Sequence, residues 1–369
     1  GVLTSVHSFA TDPARGVFVL GLLFVCTGGS LVLFAIRAPS LKSGGLFAPI
    51  SREGSLLLNN VLMSTAAGTV LLGTLYPLIA DALNLGKVSV GPPFFNAVFL
   101  PLMVPVVVTM AVGPLLSWKR SDLGSALARL KLAFVAAVVV AIGGWLIAGG
   151  SAKPLLAAGG FGLAAWLFVG SLLEWGERVR LFRAPLGETL RRAVHLPRSA
   201  YGMTLAHAGL AVVIAGLTGS ATWTTEKIQV MRPGDTMNVA GYELTLQGTE
   251  EVKGPNYTAL RATFHTTKNG VFVADLKPEK RQYTMPPRPT TDAAIHTNMI
   301  GDLYAVIGEP DGKGGFVTRL YYNTLVPWIF LGAVIMVFGG LVSLTDRRHR
   351  VGAPLRKPQT LAAPAAAKA

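Results

Sequence analysis

Residues 203–220 read MTLAHAGLAVVIAGLTGS, a run that contains no Asp, Glu, Lys or Arg and carries an imidazole, His207, inside it. The run is long enough to cross a bilayer. A group able to carry charge, or even a bare polar nitrogen, is costly in hydrocarbon unless something ligates or hydrogen-bonds it. His207 is therefore a functional-site candidate, with three kinds of partner open to it: a metal such as haem iron, a proton relay, or a polar contact between helices. Counted from Met203, it lies about one turn past the entry of the span. Gly202, Gly209 and Gly216 recur at intervals of seven and keep one helix face small. Close approach of a flat cofactor needs such a face, and so does a closely packed neighbouring helix.

Working outward, six further stretches reach the roughly 20 apolar residues of a membrane span. They are 17–36, 55–80, 97–117, 132–149, 154–173 and 324–344. A hydrophobic fraction of 51%, a charged fraction of 14% and a mean hydropathy of +0.49 agree. The 369-residue chain thus reads as a polytopic α-helical membrane protein of about seven transmembrane helices.

A net charge of +14 raises the question of nucleic acid, but its distribution answers it. Arg37, Lys42 and Arg52 follow the first span; Lys119, Arg120, Arg129 and Lys131 the third; Arg178, Arg180, Arg183, Arg191, Arg192 and Arg198 the fifth; and Arg347, Arg348, Arg350, Arg356, Lys357 and Lys368 the seventh. All fall on one side, which the positive-inside rule makes cytoplasmic. No nucleic-acid partner is needed to explain them. The same rule puts the N-terminus and residues 221–323 outside.

That external region changes character. Segments 242–247 (YELTLQ), 257–264 (YTALRATF), 271–276 (VFVADL), 302–307 (DLYAVI) and 316–321 (FVTRLY) alternate with the period of half-buried strands. Asn269-Gly270 and the run 311–315 (DGKGG) are hairpin signals. The run 285–289 (MPPRP) is too proline-rich for a central strand and is expected to run extended over the surface. The predicted organisation is an external segment 1–16 carrying His7, a six-helix membrane bundle 17–220, an external β-rich barrel or sandwich 221–323 between helices six and seven, a seventh helix 324–344, and a basic cytoplasmic tail 345–369 with a disordered end. No internal repeat is visible, which weakens a transporter built on inverted repeats. The chain opens at Gly1 without an initiating Met or a leader pattern, so we expect the later part of a longer polypeptide or one piece of a split one.

The remaining candidate ligand is His7, in the segment 1–11 (GVLTSVHSFAT) ahead of the first span. Neutral imidazole at outside pH is a good axial ligand for haem iron, although an exposed loop histidine is ordinarily just solvated. His195, His265, His296 and His349 lack metal-ligand spacing, and no tetrahedral set can be assembled from them. Cys26 is the single cysteine and reads as a small packing residue, so the chain does no dithiol chemistry. There is no P-loop, no GxGxxG after a strand and no serine nucleophile elbow. Between 76 and 96, prolines and aromatics are read as an interfacial belt with helix-terminating prolines.

Five separated runs carry a family resemblance: GVLTSVHSFATDP at 1–13, GTLYPL at 73–78, VGPPFFN at 90–96, MTLAHAGLAV at 203–212 and GPNYTALRATF at 254–264. Together, over residues 1 to about 348, they resemble the bacterial cytochrome c maturation proteins of the CcmF/CycK family, the haem lyase subunit. The resemblance implies a protein of the bacterial cytoplasmic (inner) membrane with its β-domain in the periplasm and its C-terminus in the cytoplasm. In that family a tryptophan-rich WWD segment with flanking external histidines receives haem from the haem chaperone CcmE. The haem is attached to the CxxCH cysteines of apocytochrome c, held with the help of CcmH and CcmI. A separate membrane haem b, ligated by two histidines, is thought to reduce the incoming haem, with quinol as a possible electron source. His7 matches the external histidine that follows the WWD segment and serves the transferred haem, and His207 matches the second ligand of the membrane haem b. The chain has no WWD run, no first external histidine and no first membrane-haem histidine. The resemblance therefore covers the C-terminal half. The other ligand of haem b is expected on an N-terminal half, and the present half alone is expected to be inactive. Two readings of other classes compete: a transporter with a proton relay at His207, and a structural anchor that displays an interaction domain.

Overall fold

Apolar runs of membrane length become helices because hydrocarbon leaves backbone polar groups no partner but each other. The computed structural model describes residues 13–41, 46–83, 85–86, 90–149, 153–285 and 287–346. His7, His349 and the tail beyond Asp346 lie outside the described residues. The chain divides into two compact units, Gly1–Arg129 and Leu130–Ala369.

In the first unit α1 runs Pro13–Arg37, α2 Arg52–Ala82, α3 Pro92–Val112 and α4 Leu123–Arg129. Helices α2 and α3 meet where Gly73 admits the rings of Phe94 and Phe95; a Cβ there would come within 2.6 Å of Phe94 Cε1. The prolines expected to terminate helices do not do so here. Pro77 lies inside α2, and Pro92 and Pro93 open α3. A proline's missing N–H costs nothing in the first turn, which is where two of the three fall. Glu53 accepts the Lys119 N–H at 2.7 Å and Arg52 lies 5.1 Å over the Trp118 ring, fixing the polar end of this pair.

In the second unit α5 runs Lys131–Ile147, α6 Pro154–Val179, α7 Leu186–His195, α8 Arg198–Trp223 and α9 Val326–Leu344. Among the described residues, six helices meet the length and apolarity of a membrane span, and a seventh if α4 and α5 make one broken span. The protein is a multi-pass membrane protein. Helix α6 continues past the expected end at 173, carrying Glu174, Glu177 and Arg178 in its last turns, and α7 is a helix where only a basic loop was expected.

Between α8 and α9 lie ten strands in two antiparallel sheets, a β-sandwich rather than a closed barrel. One sheet has the order β1-β10-β9-β8, built from β1 Thr225–Met231, β8 Ala294–Thr297, β9 Gly301–Pro310 and β10 Phe316–Thr324. The other has the order β2-β3-β4-β6-β7, with β5 also on β4; its strands are β2 Thr236–Val239, β3 Tyr242–Lys253, β4 Tyr257–Lys268, β5 Val271–Leu276, β6 Glu279–Thr284 and β7 Pro287–Asp292. Leu244, Leu246 and Phe264 of one sheet face Leu303, Ile307 and Leu320 of the other in a dry core. Asn269 and Gly270 both take positive φ, 50° and 76°, as the tight hairpin between β4 and β5 requires. Residues 287–289 of the proline-rich run do pair, in edge strand β7, where a proline's missing N–H is tolerated. Three bonds seat the sandwich on α8 and α9: Thr324 Oγ1 donates to Trp223 O at 3.2 Å, Leu325 N to Ile300 O at 2.7 Å, and Trp328 Nε1 to Met299 O at 2.9 Å.

Candidate functional site

Helix α8 presents two faces, and its sequence decides what each can meet. Gly202, Gly209 and Gly216 form a buried stripe against α9, whose Gly332 and Gly339 answer it. A Cβ on Gly202 would lie 2.5 Å from Gly339 O, and one on Gly209 2.7 Å from Gly332 O. The glycine face is thus filled by a neighbouring helix in backbone contact, and no flat cofactor lies along it.

His207 sits five residues past Gly202 and two before Gly209, which at 100° per residue turns it to the opposite side. It shares a stripe with Thr204, Ala211 and Thr218, all buried. That stripe faces α6: a Cβ on Gly160 would lie 2.1 Å from Thr218 Oγ1, and the Trp175 and Tyr201 rings are 6.4 Å apart. The antiparallel register of those two pairs puts His207 level with Gly170 and Ser171, both buried. Ser171 Oγ donates to Leu167 O at 2.7 Å and so does not donate to the imidazole. His207 is half-buried and makes no hydrogen bond or ion pair with any described residue. Alanines 206 and 208 flank it, so no bulky neighbour in sequence screens the ring. Because α8 begins at Arg198, His207 is the tenth of its 26 residues.

An unpartnered ring among small residues fits an axial haem ligand, because haem iron asks the protein for one or two nitrogens. No group of three or more His, Cys, Asp or Glu able to hold a metal ion exists among the described residues. The donor set suits haem and does not suit a metal held by protein side chains alone. His265 is taken by Asp275, Nδ1 to Oδ1 3.0 Å, and stacks on Phe272; His195 Nδ1 lies 2.7 Å from Arg191 O.

Sequence reasoning passed over Glu174. Its side chain is only 6% exposed in α6, one turn past Ser171. Arg178 holds Oε1, while Oε2 and the neighbouring Trp175 Nε1 are buried without a hydrogen-bond partner among the described residues. A glutamate four residues before an arginine at the end of an apolar run reads as the edge of a span, and helix continuation is what buries it.

A polytopic helical membrane protein with a β-sandwich between its last two helices and a lone, unpartnered intramembrane histidine is the class that fold and site define. The family model "CcmF C-terminal beta-sandwich" matches residues 222–324. The chain is 47% identical to the cytochrome c-type biogenesis protein CycK of Bradyrhizobium diazoefficiens over 355 residues, 96% of this chain and 53% of that one. It is 41% identical to CcmF of Pseudomonas aeruginosa over 361 residues, 98% of this chain and 54% of that one. A solved cytochrome c haem lyase CcmF superposes with a TM-score of 0.66 at 25% identity, over 90% of this chain and 50% of that one. Over nearly its whole length the chain is homologous to the cytochrome c-type biogenesis proteins CcmF and CycK, and it spans about half the length of the curated relatives it matches.

Proposed function

We propose that this chain is the haem-binding C-terminal part of a cytochrome c haem lyase. In this reading it helps pass haem from a CcmE-type chaperone to the CxxCH of apocytochrome c, which CcmH- and CcmI-type proteins hold. The observation that carries the reading is His207, an imidazole without a partner inside a membrane helix. Its ring would hold the iron of a haem b together with a histidine on the N-terminal half that carries the WWD segment. That haem would supply one-electron reduction, with quinol as the donor. The chain's own part is positional. Close packing of α8 on α9, with backbone atoms of Gly332 and Gly339 against the α8 glycines, holds the His207 backbone. With Cys26 as its one thiol, the protein supplies no thioether sulfur and leaves the reacting cysteines to the substrate.

The organisation proposed with this reading puts His7, in an external segment ahead of α1, on the transferred haem. The β-sandwich lies in the periplasm, and the basic tail lies in the cytoplasm. His7 and His207 then serve different haems. Assembly of the chain with its N-terminal half should give a low-spin b-haem spectrum that His207→Ala abolishes and His7→Ala leaves intact, while His7→Ala stops holocytochrome c formation. An unchanged spectrum in His207→Ala, at normal protein level, removes His207 as a ligand.

A further inference from the structure

Helix α7 joins two membrane-spanning helices, following α6, which ends at Val179, and preceding α8, which starts at Arg198. Short connections, residues 180–185 and 196–197, tie it to the ends of both helices. Its residues Leu186, Leu190 and Val194 are 73%, 58% and 82% exposed, and their spacing of four lays them along one stripe. Thr189 is buried against the protein, and Ala193 O accepts the Tyr201 hydroxyl at 2.8 Å, so the helix cannot roll to hide that stripe. The opposite side is polar, with Glu188 and Arg192 in an ion pair at 2.7 Å, and exposed Arg191 stands at the edge of the stripe.

Ahead of α7 the chain makes a turn in which Phe182 is 96% exposed with a φ of 60°. A bulky residue in the left-handed region is strained, and exposing a whole phenyl ring to water adds cost without return. Arg180 and Arg183 lie on either side of it and are exposed, as is Arg191; Arg180 and Arg191 are near enough to Glu188 to help lower its carboxyl, which leaves a surplus of positive charge here. Apolar groups directed away from the protein, rimmed by exposed arginines at the end of two apolar helices of membrane length, are the composition of an interfacial amphipathic helix.

We propose that α7 and the Phe182 turn form an anionic-lipid site. The stripe and the phenyl ring enter the acyl boundary while Arg180, Arg183 and Arg191 hold headgroup phosphates. The complementarity is that of a basic, apolar-edged surface for a leaflet of negatively charged phospholipid.

The test uses the full chain in nanodiscs of phosphatidylcholine, with and without phosphatidylglycerol. In a Cys26→Ser background, Leu190→Cys carries an environment-sensitive fluorophore. Nitroxide placed near the lipid headgroup should quench it and aqueous iodide should not. Quenching by iodide instead, or by neither, overturns the proposal, the latter because another polypeptide then covers the stripe. Phosphatidylglycerol retained through detergent exchange, counted by native mass spectrometry, should fall about fivefold in affinity for each of Arg180→Gln, Arg183→Gln and Arg191→Gln. Equal retention in these variants, equal retention of phosphatidylcholine, or displacement by inorganic phosphate would each sink it.

Discussion

Glycine and histidine on α8 divide the labour of one helix. Gly209 has no room for even a methyl group, since its Cβ would lie 2.7 Å from Gly332 O and 2.9 Å from Met336 N, both backbone atoms that cannot rotate aside. Gly209→Val should therefore force α8 and α9 apart and lower stability by about 1–3 kcal/mol or more, as overpacking does. Gly340, one residue from the seam, meets nothing within 4 Å of a built Cβ. Gly340→Ala should be neutral within about 0.5 kcal/mol or slightly stabilising. Thermal unfolding of both variants in detergent, followed beside the parent, checks the contrast. A Gly209→Val protein as stable as Gly340→Ala would mean that the seam is looser than the backbone distances require. The sevenfold glycine spacing was legible as a small face, but its occupant was not. Spacing gives the side-chain volume of a helix face and says nothing of which element arrives there.

Among the elements, the sandwich carries its own pH response. Glu279 on β6 is buried; Arg261 Nη2 reaches its Oε1 at 2.6 Å and Arg281 Nε its Oε2 at 2.7 Å, while Arg281 also pairs with Asp292 at 2.6 Å. Burial alone would raise the carboxyl, but the hydrogen bonds from Arg281 and Arg261 outweigh it and hold Glu279 below its ordinary 4.5. A depressed carboxylate adds stability that is complete above the unfolded value and is lost as pH falls through the folded one. The sandwich should thus lose stability below about pH 4.5. Glu279→Gln should lower stability at pH 7 by about 1–3 kcal/mol and flatten the acid limb. Asp311, held low chiefly by the Lys313 and Gly315 backbone N–H groups, keeps part of that limb, so the slope should shrink rather than vanish. Melting curves of both proteins between pH 3 and 7 test this, and parallel acid limbs would refute it. Strand β6 reads EKRQYT, a polar run without strand alternation, and only its place between β4 and β7 makes it a strand. Strands β3, β4, β9 and β10 were legible because each alternates, over much of its length, between a dry and a wetter face, and β5 because it follows the Asn269-Gly270 turn. The exposed edge strand β1 and the four-residue β2 and β8 bury too little to leave a pattern.

For the whole molecule, α8 sets the two ends apart. Its 26 residues span about 39 Å, more than a bilayer core of about 30 Å. Its N-terminal end adjoins the arginine-rich turn and α7, and its C-terminal end leads into β1, so these lie on opposite sides of the membrane. On the proposed orientation, with the basic side cytoplasmic, a reporter active only in the periplasm should work when fused near Gly270 and fail near Arg192. The reverse pattern would invert the topology and strand His7 on the wrong side.

The sequence by itself determined the membrane class, the positions of the spans, the change to alternating strands after 220, and His207 as the residue to watch. These depend on composition and local period, quantities that a chain carries without neighbours. The tertiary structure decided what distant parts do to one another. It gave the glycine face to α9 and turned His207 toward α6 with no described partner. It carried α6 on far enough to bury Glu174, and folded the arginine loop into a helix whose apolar stripe faces outward. Each of those outcomes depends on which surfaces meet. The free energy of a contact belongs to the pair, and neither segment's sequence holds it alone.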